Sequence, residues 1–160
     1  MSSEGSGRQT IEWELESGDW ADVDLALRTP WVSIASDGAA LNADHRSSVP
    51  HPRSWGTFPS AYRHMRTLGL PIGAVVHRMT DAPARRVGFS AAIAVNERAD
   101  IIVFDDDTFS SSADFAHPAQ AASGLHAVMV GGEFVLRNDE MAQNRPGRLL
   151  SPLPMERADA

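Results

Sequence analysis

The 160-residue sequence predicts an α/β chain, and three observations carry that reading. A short apolar run, Trp31-Val32-Ser33-Ile34-Ala35, stops abruptly at Ser36-Asp37-Gly38. Apolar residues then recur at helical spacing between Pro59 and Val87, and beyond Gly88 the pattern changes to short strands. In barrels of alternating strands and helices, a buried strand aims one polar side chain into the site from its C-terminal end. Asp37 is that side chain here, and Gly38 lets the chain turn sharply away across the barrel mouth.

The elements follow in order. Residues 1–20 are rich in Ser, Gly and Glu and read as a flexible lead-in. Asp19 is placed to cap a short helix over Asp19–Leu27, which Pro30 stops before the strand Trp31–Ala35. Asn42–Phe58, with its prolines, histidines and serines and little periodicity, reads as a loop of functional length. Pro59 suits the first turn of a helix carrying Ala61, Met65 and Leu68, which Gly69 ends. From Pro71, Ile72, Val75, Val76 and Met79 form a second helical stripe, and Ala82–Val87 adds a turn or two before Gly88. Strands are expected at Ala92–Val95, Asp100–Phe104, Ala127–Val130 and Glu133–Leu136, the last two joined by a Gly131-Gly132 turn. The segments divide as lead-in 1–20, barrel part 21–88, strand-rich part 89–150 and tail 151–160.

Composition narrows the function classes. A complete strand–helix barrel takes about 250 residues, so this chain holds only part of one. The 42% hydrophobic and 22% charged content is that of a folding chain. Net charge is −7, from 21 acidic against 14 basic residues, all of them arginine, with no basic concentration to suit nucleic acid. Absence of cysteine removes disulfides and thiolate metal ligands. No stretch has the length of a signal-peptide core or of a membrane span, so a cytoplasmic location is expected.

Ser36-Asp37-Gly38, the run His51 to Pro59, Met79-Thr80 followed by Ala82-Pro83-Ala84-Arg85, and Ala99 to Asp105 stand together in an order and spacing that resembles the N-acyl-D-amino-acid deacylases. These D-aminoacylases are metal-dependent hydrolases of the amidohydrolase superfamily. The likeness runs from about Ala21 to Leu150 and is to their C-terminal third. It implies the terminal strand and helices of a (β/α)8 barrel followed by strands of a small β-sandwich, whose partner strands precede the barrel, so exposed sheet edges are expected. It also implies zinc as cofactor of the full-length enzymes, with most metal ligands upstream of the matched region, so that this chain alone is expected to bind no zinc. Three positions depart from the family pattern: Ser60 stands for an arginine, Asn96 for a glycine, and Ser90-Ala91-Ala92 for an Arg-Gly dipeptide, with one residue lost.

The resemblance gives Asp37 the proton transfer of amide hydrolysis and makes it the one candidate metal ligand of this chain. Taken alone, Ser-Asp-Gly equally closes a turn. Arg53 has the two-pronged geometry that a substrate carboxylate needs, the alternative being an arginine that ties down its own loop. His51 reads as loop packing rather than a ligand, and Trp55 and Phe58 as cover for the pocket or barrel rim. His45, His64, His77, His117 and His126 form no short-spaced ligand pair. The expected activity is hydrolysis of N-acyl-D-amino acids once a separately encoded N-terminal half is supplied. The alternative is a truncated, non-catalytic remnant that acts as an interaction module. Self-association is expected of the chain alone, whose apolar faces lack their partners.

Overall fold

In the computed structural model, residues 19–39 and 50–151 are described. The lead-in up to residue 18, the segment 40–49 with His45, and residues 152–160 lie outside them.

Helix α1 spans Trp20–Arg28, and Asp19 caps it as its sequence predicts, the carboxylate accepting from the Ala21 amide at 3.2 Å. Helix α2 spans Arg53–Thr67, α3 Ile72–Met79 and α4 Asp81–Arg86. Gly69 ends α2 at φ +83°: its amide bonds the Arg66 carbonyl and the Leu70 amide bonds that of Met65. Gly88 and Phe89 repeat the arrangement on Arg85 and Ala84 at the end of α4. Four strands, β1 (Ile101–Phe104), β2 (Leu125–Val130), β3 (Glu133–Arg137) and β4 (Glu140–Met141), form one antiparallel sheet in the order β1-β2-β3-β4. The β2–β3 hairpin turns where expected, on Gly131 and Gly132 at φ +58° and +88°. Asn138 and Asp139, at φ +51° and +65°, make a second tight turn into β4, a strand not expected from sequence.

Several expectations are corrected. Trp31–Ala35 forms no sheet ladder among the described residues, and Trp31 stands in a turn where the Val32 amide bonds the Thr29 carbonyl at 3.2 Å. Its backbone is met by arginines instead. Arg78 Nε donates to the Val32 carbonyl at 2.7 Å, Arg86 Nη2 donates to that of Trp31, and the Ile34 amide bonds the Arg78 carbonyl at 3.3 Å. Ala92–Val95 is likewise not a strand, and Ile93 and Val95 are 85% and 90% exposed. Helix α2 begins six residues before Pro59, at Arg53, within the segment read as loop, with Pro52 as its N-cap. Pro59 therefore sits buried inside the helix rather than in its first turn. The α3 stripe rotates: Val75 is buried and Val76 and Met79 partly so, but Ile72 is exposed and Arg78 takes the inward position.

Arg78 is 3% exposed, and nothing in the spacing of apolar residues pointed to it. Its guanidinium donates to the Leu27 carbonyl and to that of Ala26 at 3.2 Å, so it supplies a donor to the carbonyls at the end of α1 from a different helix. Burial pushes its pKa below that of an ordinary guanidinium. The core lies beside this clamp and joins helices to sheet: Leu27, Tyr62, Met65, Val75 and Phe109 are buried together, with Ile34, Phe104 and Leu125 against them. Tyr62, Phe104 and Phe109 meet with centroids 4.8–5.3 Å apart, two of the three pairs edge to face.

A polar bolt fixes α2 to the loop after β1. The Tyr62 hydroxyl donates to Asp106 Oδ1 at 2.6 Å, Arg66 reaches both Asp106 oxygens at 3.1 and 2.9 Å, and Arg63 donates to the Asp106 and Phe109 carbonyls at 2.7 and 2.9 Å. Burial, and then the bond to Asp106, pushes the Tyr62 phenol up to about 12. The Arg66 guanidinium, and then the Tyr62 hydroxyl, hold the Asp106 carboxyl below the usual carboxylate range. No helix among the described residues is long and apolar enough to cross a membrane.

Candidate active site

Asp37 occupies the middle of the Ser36-Asp37-Gly38 turn at φ +47°, a left-handed conformation that aspartate tolerates better than most residues. The Gly38 amide donates to Ser36 Oγ at 3.1 Å, which fixes the turn. Gly38 also lies against the start of α2: a Cβ there would stand 2.9 Å from Ser54 Cα and 3.4 Å from the Arg53 carbonyl oxygen. That close approach seats the turn on the helix and brings the two candidate residues together. Arg53 Nη2 lies 3.1 Å from Asp37 Oδ2. The aspartate side chain is 87% exposed and the arginine 39%, so both present themselves to an incoming molecule.

The start of α2 is held from two further directions. His51 Nδ1 accepts from the Arg53 amide at 3.1 Å, and its ring packs edge-on against Phe115 with centroids 4.9 Å apart. Gly56 leaves room for residues 111–113, since a Cβ there would come within 2.8 Å of Ser111 Oγ and 3.2 Å of the Ala113 Cβ. Thr57 Oγ1 donates to the Arg53 carbonyl at 3.0 Å. Trp55 is half-buried and Phe58 exposed on the same helix. The backbone bond of His51 is not among the roles expected from sequence, although a polar ring two residues before a helix start has the spacing of a side chain that receives a backbone amide.

The remaining histidines are dispersed in the fold. His64 Nε2 lies 2.7 Å from Asp24 Oδ1, linking α2 to α1, and its ring is 5.6 Å from that of Trp20. His77 pairs with Asp81 at 3.2 Å, and His117 lies 3.5 Å from Asp114. Among the described residues no three His, Asp or Glu side chains converge in a set that could hold a metal ion.

No protein-family model matches the chain. Its sequence is 38% identical over 137 residues to the D-aminoacylase of Alcaligenes xylosoxydans xylosoxydans, and 33% identical over 140 residues to the N-acyl-D-aspartate deacylase of the same organism. These alignments take in 83% and 84% of this chain but 27% of each relative. Among solved structures, it superposes on a D-aminoacylase whose binuclear metal centre has been described, with a TM-score of 0.71 and 34% identity, over 79% of this chain and 27% of that one. It superposes equally, with a TM-score of 0.71 and 33% identity, on the N-acyl-D-glutamate deacylase of Bordetella bronchiseptica, solved with zinc and a phosphonate mimic of the tetrahedral intermediate. That match takes in 83% of this chain and 28% of the deacylase.

By fold and sequence, then, the chain is a relative of the amidohydrolases, hydrolases of carbon–nitrogen bonds other than peptide bonds. Within that class it belongs with the D-aminoacylases, the N-acyl-D-amino-acid deacylases, and it spans about a quarter of the length of the relatives it matches.

Proposed function

We propose that this chain is the C-terminal part of an enzyme that hydrolyses the amide of N-acyl-D-amino acids, with Asp37 and Arg53 as its contribution to the active site. The observation that carries the reading is their juxtaposition: an exposed carboxylate on a left-handed turn residue, 3.1 Å from a guanidinium at the first residue of a helix. Asp37 takes a proton from the attacking water as the new C–O bond forms at the amide carbon. It returns that proton to the nitrogen as the C–N bond breaks, so a carboxylic acid and an amine leave and the carboxylate is regenerated. Arg53 holds the α-carboxylate of the substrate through parallel N–H bonds and so orients the amide.

A catalytic zinc takes three protein ligands and keeps a fourth position open. The described residues offer no such set, so no step is assigned to a metal here, and Asp37 at most joins ligands carried by an N-terminal part. In the assembled enzyme, Trp31–Ala35 would be the last barrel strand, and the four-stranded sheet one part of a β-sandwich. The chain by itself would be inactive, and would work in the cytoplasm with that N-terminal part as partner.

The test is complementation. The full chain is mixed or co-expressed with the N-terminal three quarters of a D-aminoacylase in the presence of zinc. Hydrolysis of an N-acetyl-D-amino acid is expected from the pair and from neither part alone. Two parts that form a stable complex yet show no turnover would overturn the catalytic reading. That outcome would favour the second one, a non-catalytic interaction module, for which the exposure of Ile93 and Val95 speaks.

A further inference from the structure

We infer that His51 is a positioning residue for Arg53, holding the substrate-anchoring guanidinium in place through a bond from the imidazole to the Arg53 backbone. This rests on the reading of Arg53 given above. The first four amides of a helix have no partner within it, and a side chain that receives one fixes where the first turn starts. Pro52, the N-cap of α2, makes no side-chain bond to the helix. His51, one residue earlier, does so instead, with Nδ1 3.1 Å from the Arg53 amide. The acceptor lies two residues before its donor, the spacing at which asparagine and aspartate side chains close a turn on their own backbone. A nitrogen that receives an N–H carries no proton, so the imidazole is the tautomer protonated at Nε2. Phe115 supports the ring edge-on at 4.9 Å, and the 111–113 segment packs against Gly56 one turn further on. Arg53 is thus fixed at its backbone from one side, while its side chain reaches across to Asp37.

The experiment uses the full chain and three sequences: the natural one, His51→Leu and His51→Asn. Leucine removes the acceptor, whereas asparagine can place Oδ1 where Nδ1 stands. Amide exchange at Arg53 by NMR is expected to quicken about three- to tenfold in His51→Leu, the factor a single neutral hydrogen bond sustains, and to return towards the natural rate in His51→Asn. Nitrogen chemical shifts of the His51 ring in the unaltered chain provide a readout that needs no variant to fold, and Nδ1 should show as the unprotonated nitrogen. N-acetyl-D-alanine and its carboxamide are then titrated against each sequence. The acid should bind more weakly to His51→Leu by a similar factor, the carboxamide should not distinguish the sequences, and asparagine should rescue the acid. A protonated Nδ1, or exchange at Arg53 that is equal in all three sequences or unrescued by asparagine, overturns the positioning role. If exchange behaves as expected but the acid and carboxamide bind alike to the natural chain, positioning stands and it is the substrate-anchor reading of Arg53 that fails.

Discussion

Asp37 and Arg53 form an ion pair on the solvent side of the molecule, where such a pair contributes only about 0–1 kcal/mol to stability. Substituting either should therefore leave the fold intact, so changes in rate can be read as chemistry. In a complemented enzyme Asp37→Asn should lower turnover by about 10²- to 10⁴-fold with little change in the Michaelis constant, because proton transfer is confined to the transition state. Arg53→Lys should mainly raise the Michaelis constant, since lysine keeps the charge and loses the two-pronged geometry. Steady-state kinetics on both variants checks the division of labour. Tyr62 offers a different probe, being the one tyrosine in the sequence. Its absorbance as phenolate should rise only near pH 12 in the folded chain, and near 10 once the chain is unfolded. Because the folded value is the higher, the associated stability is fully present below pH 10 and is lost as pH climbs from 10 to 12. A tyrosine that titrates near 10 in the folded chain would contradict the bolt to Asp106.

At the scale of elements, what the sequence announced is what neighbouring residues decide. Asp19 caps α1, Gly69 and Gly88 stop their helices, and Gly131-Gly132 turns the hairpin, because each is a local matter of φ and of one or two bonds. Tertiary support was not legible in the same way. Trp31–Ala35 and Ala92–Val95 have strand composition, but a strand needs a neighbour, and the first is met by arginine side chains. The start of α2 is not legible locally because Pro59 resembles a first-turn proline, while the residues that fix the true start, His51 and the 111–115 segment, act through the ring and through packing about 60 residues away. The glycines give a graded test. Gly132→Ala meets open space and should cost about 1–2 kcal/mol from its positive φ alone. Gly124→Ala should cost clearly more, because its Cβ would fall 2.5 Å from the Phe109 amide nitrogen, a backbone atom that cannot swing aside. Urea unfolding of the two variants measures the difference.

For the whole molecule, the apolar run that ends at Asp37 and the His51–Pro59 motif singled out the two residues that the structure pairs, Asp37 and Arg53, whereas the device that joins α1 to α3 was not legible. Periodicity assigns inward positions to apolar residues, and Arg78 occupies one of them because the carbonyls it meets belong to another helix. The exposed Trp31, Ile93 and Val95, with β1 and β4 as the outer strands of the sheet, lead us to expect self-association of the chain alone and its reversal when a complementing part is added. Sedimentation velocity at several concentrations would show it, and a monomer at every concentration would exclude it. Arg78→Met should destabilise the chain by about 3 kcal/mol or more, because the carbonyls of Ala26, Leu27 and Val32 lose a charged donor inside the structure. The same clamp carries a consequence for the order of folding. Thr29 closes the last turn of α1 locally, on the Leu25 and Ala26 carbonyls, but the guanidinium bonds to Leu27 and Ala26 come from a residue 51 and 52 positions further along the chain, so the clamp can form only after α3 has arrived. Stopped-flow measurements should accordingly find that Arg78→Met speeds unfolding far more than it slows refolding, the mark of a bond made after the barrier is crossed.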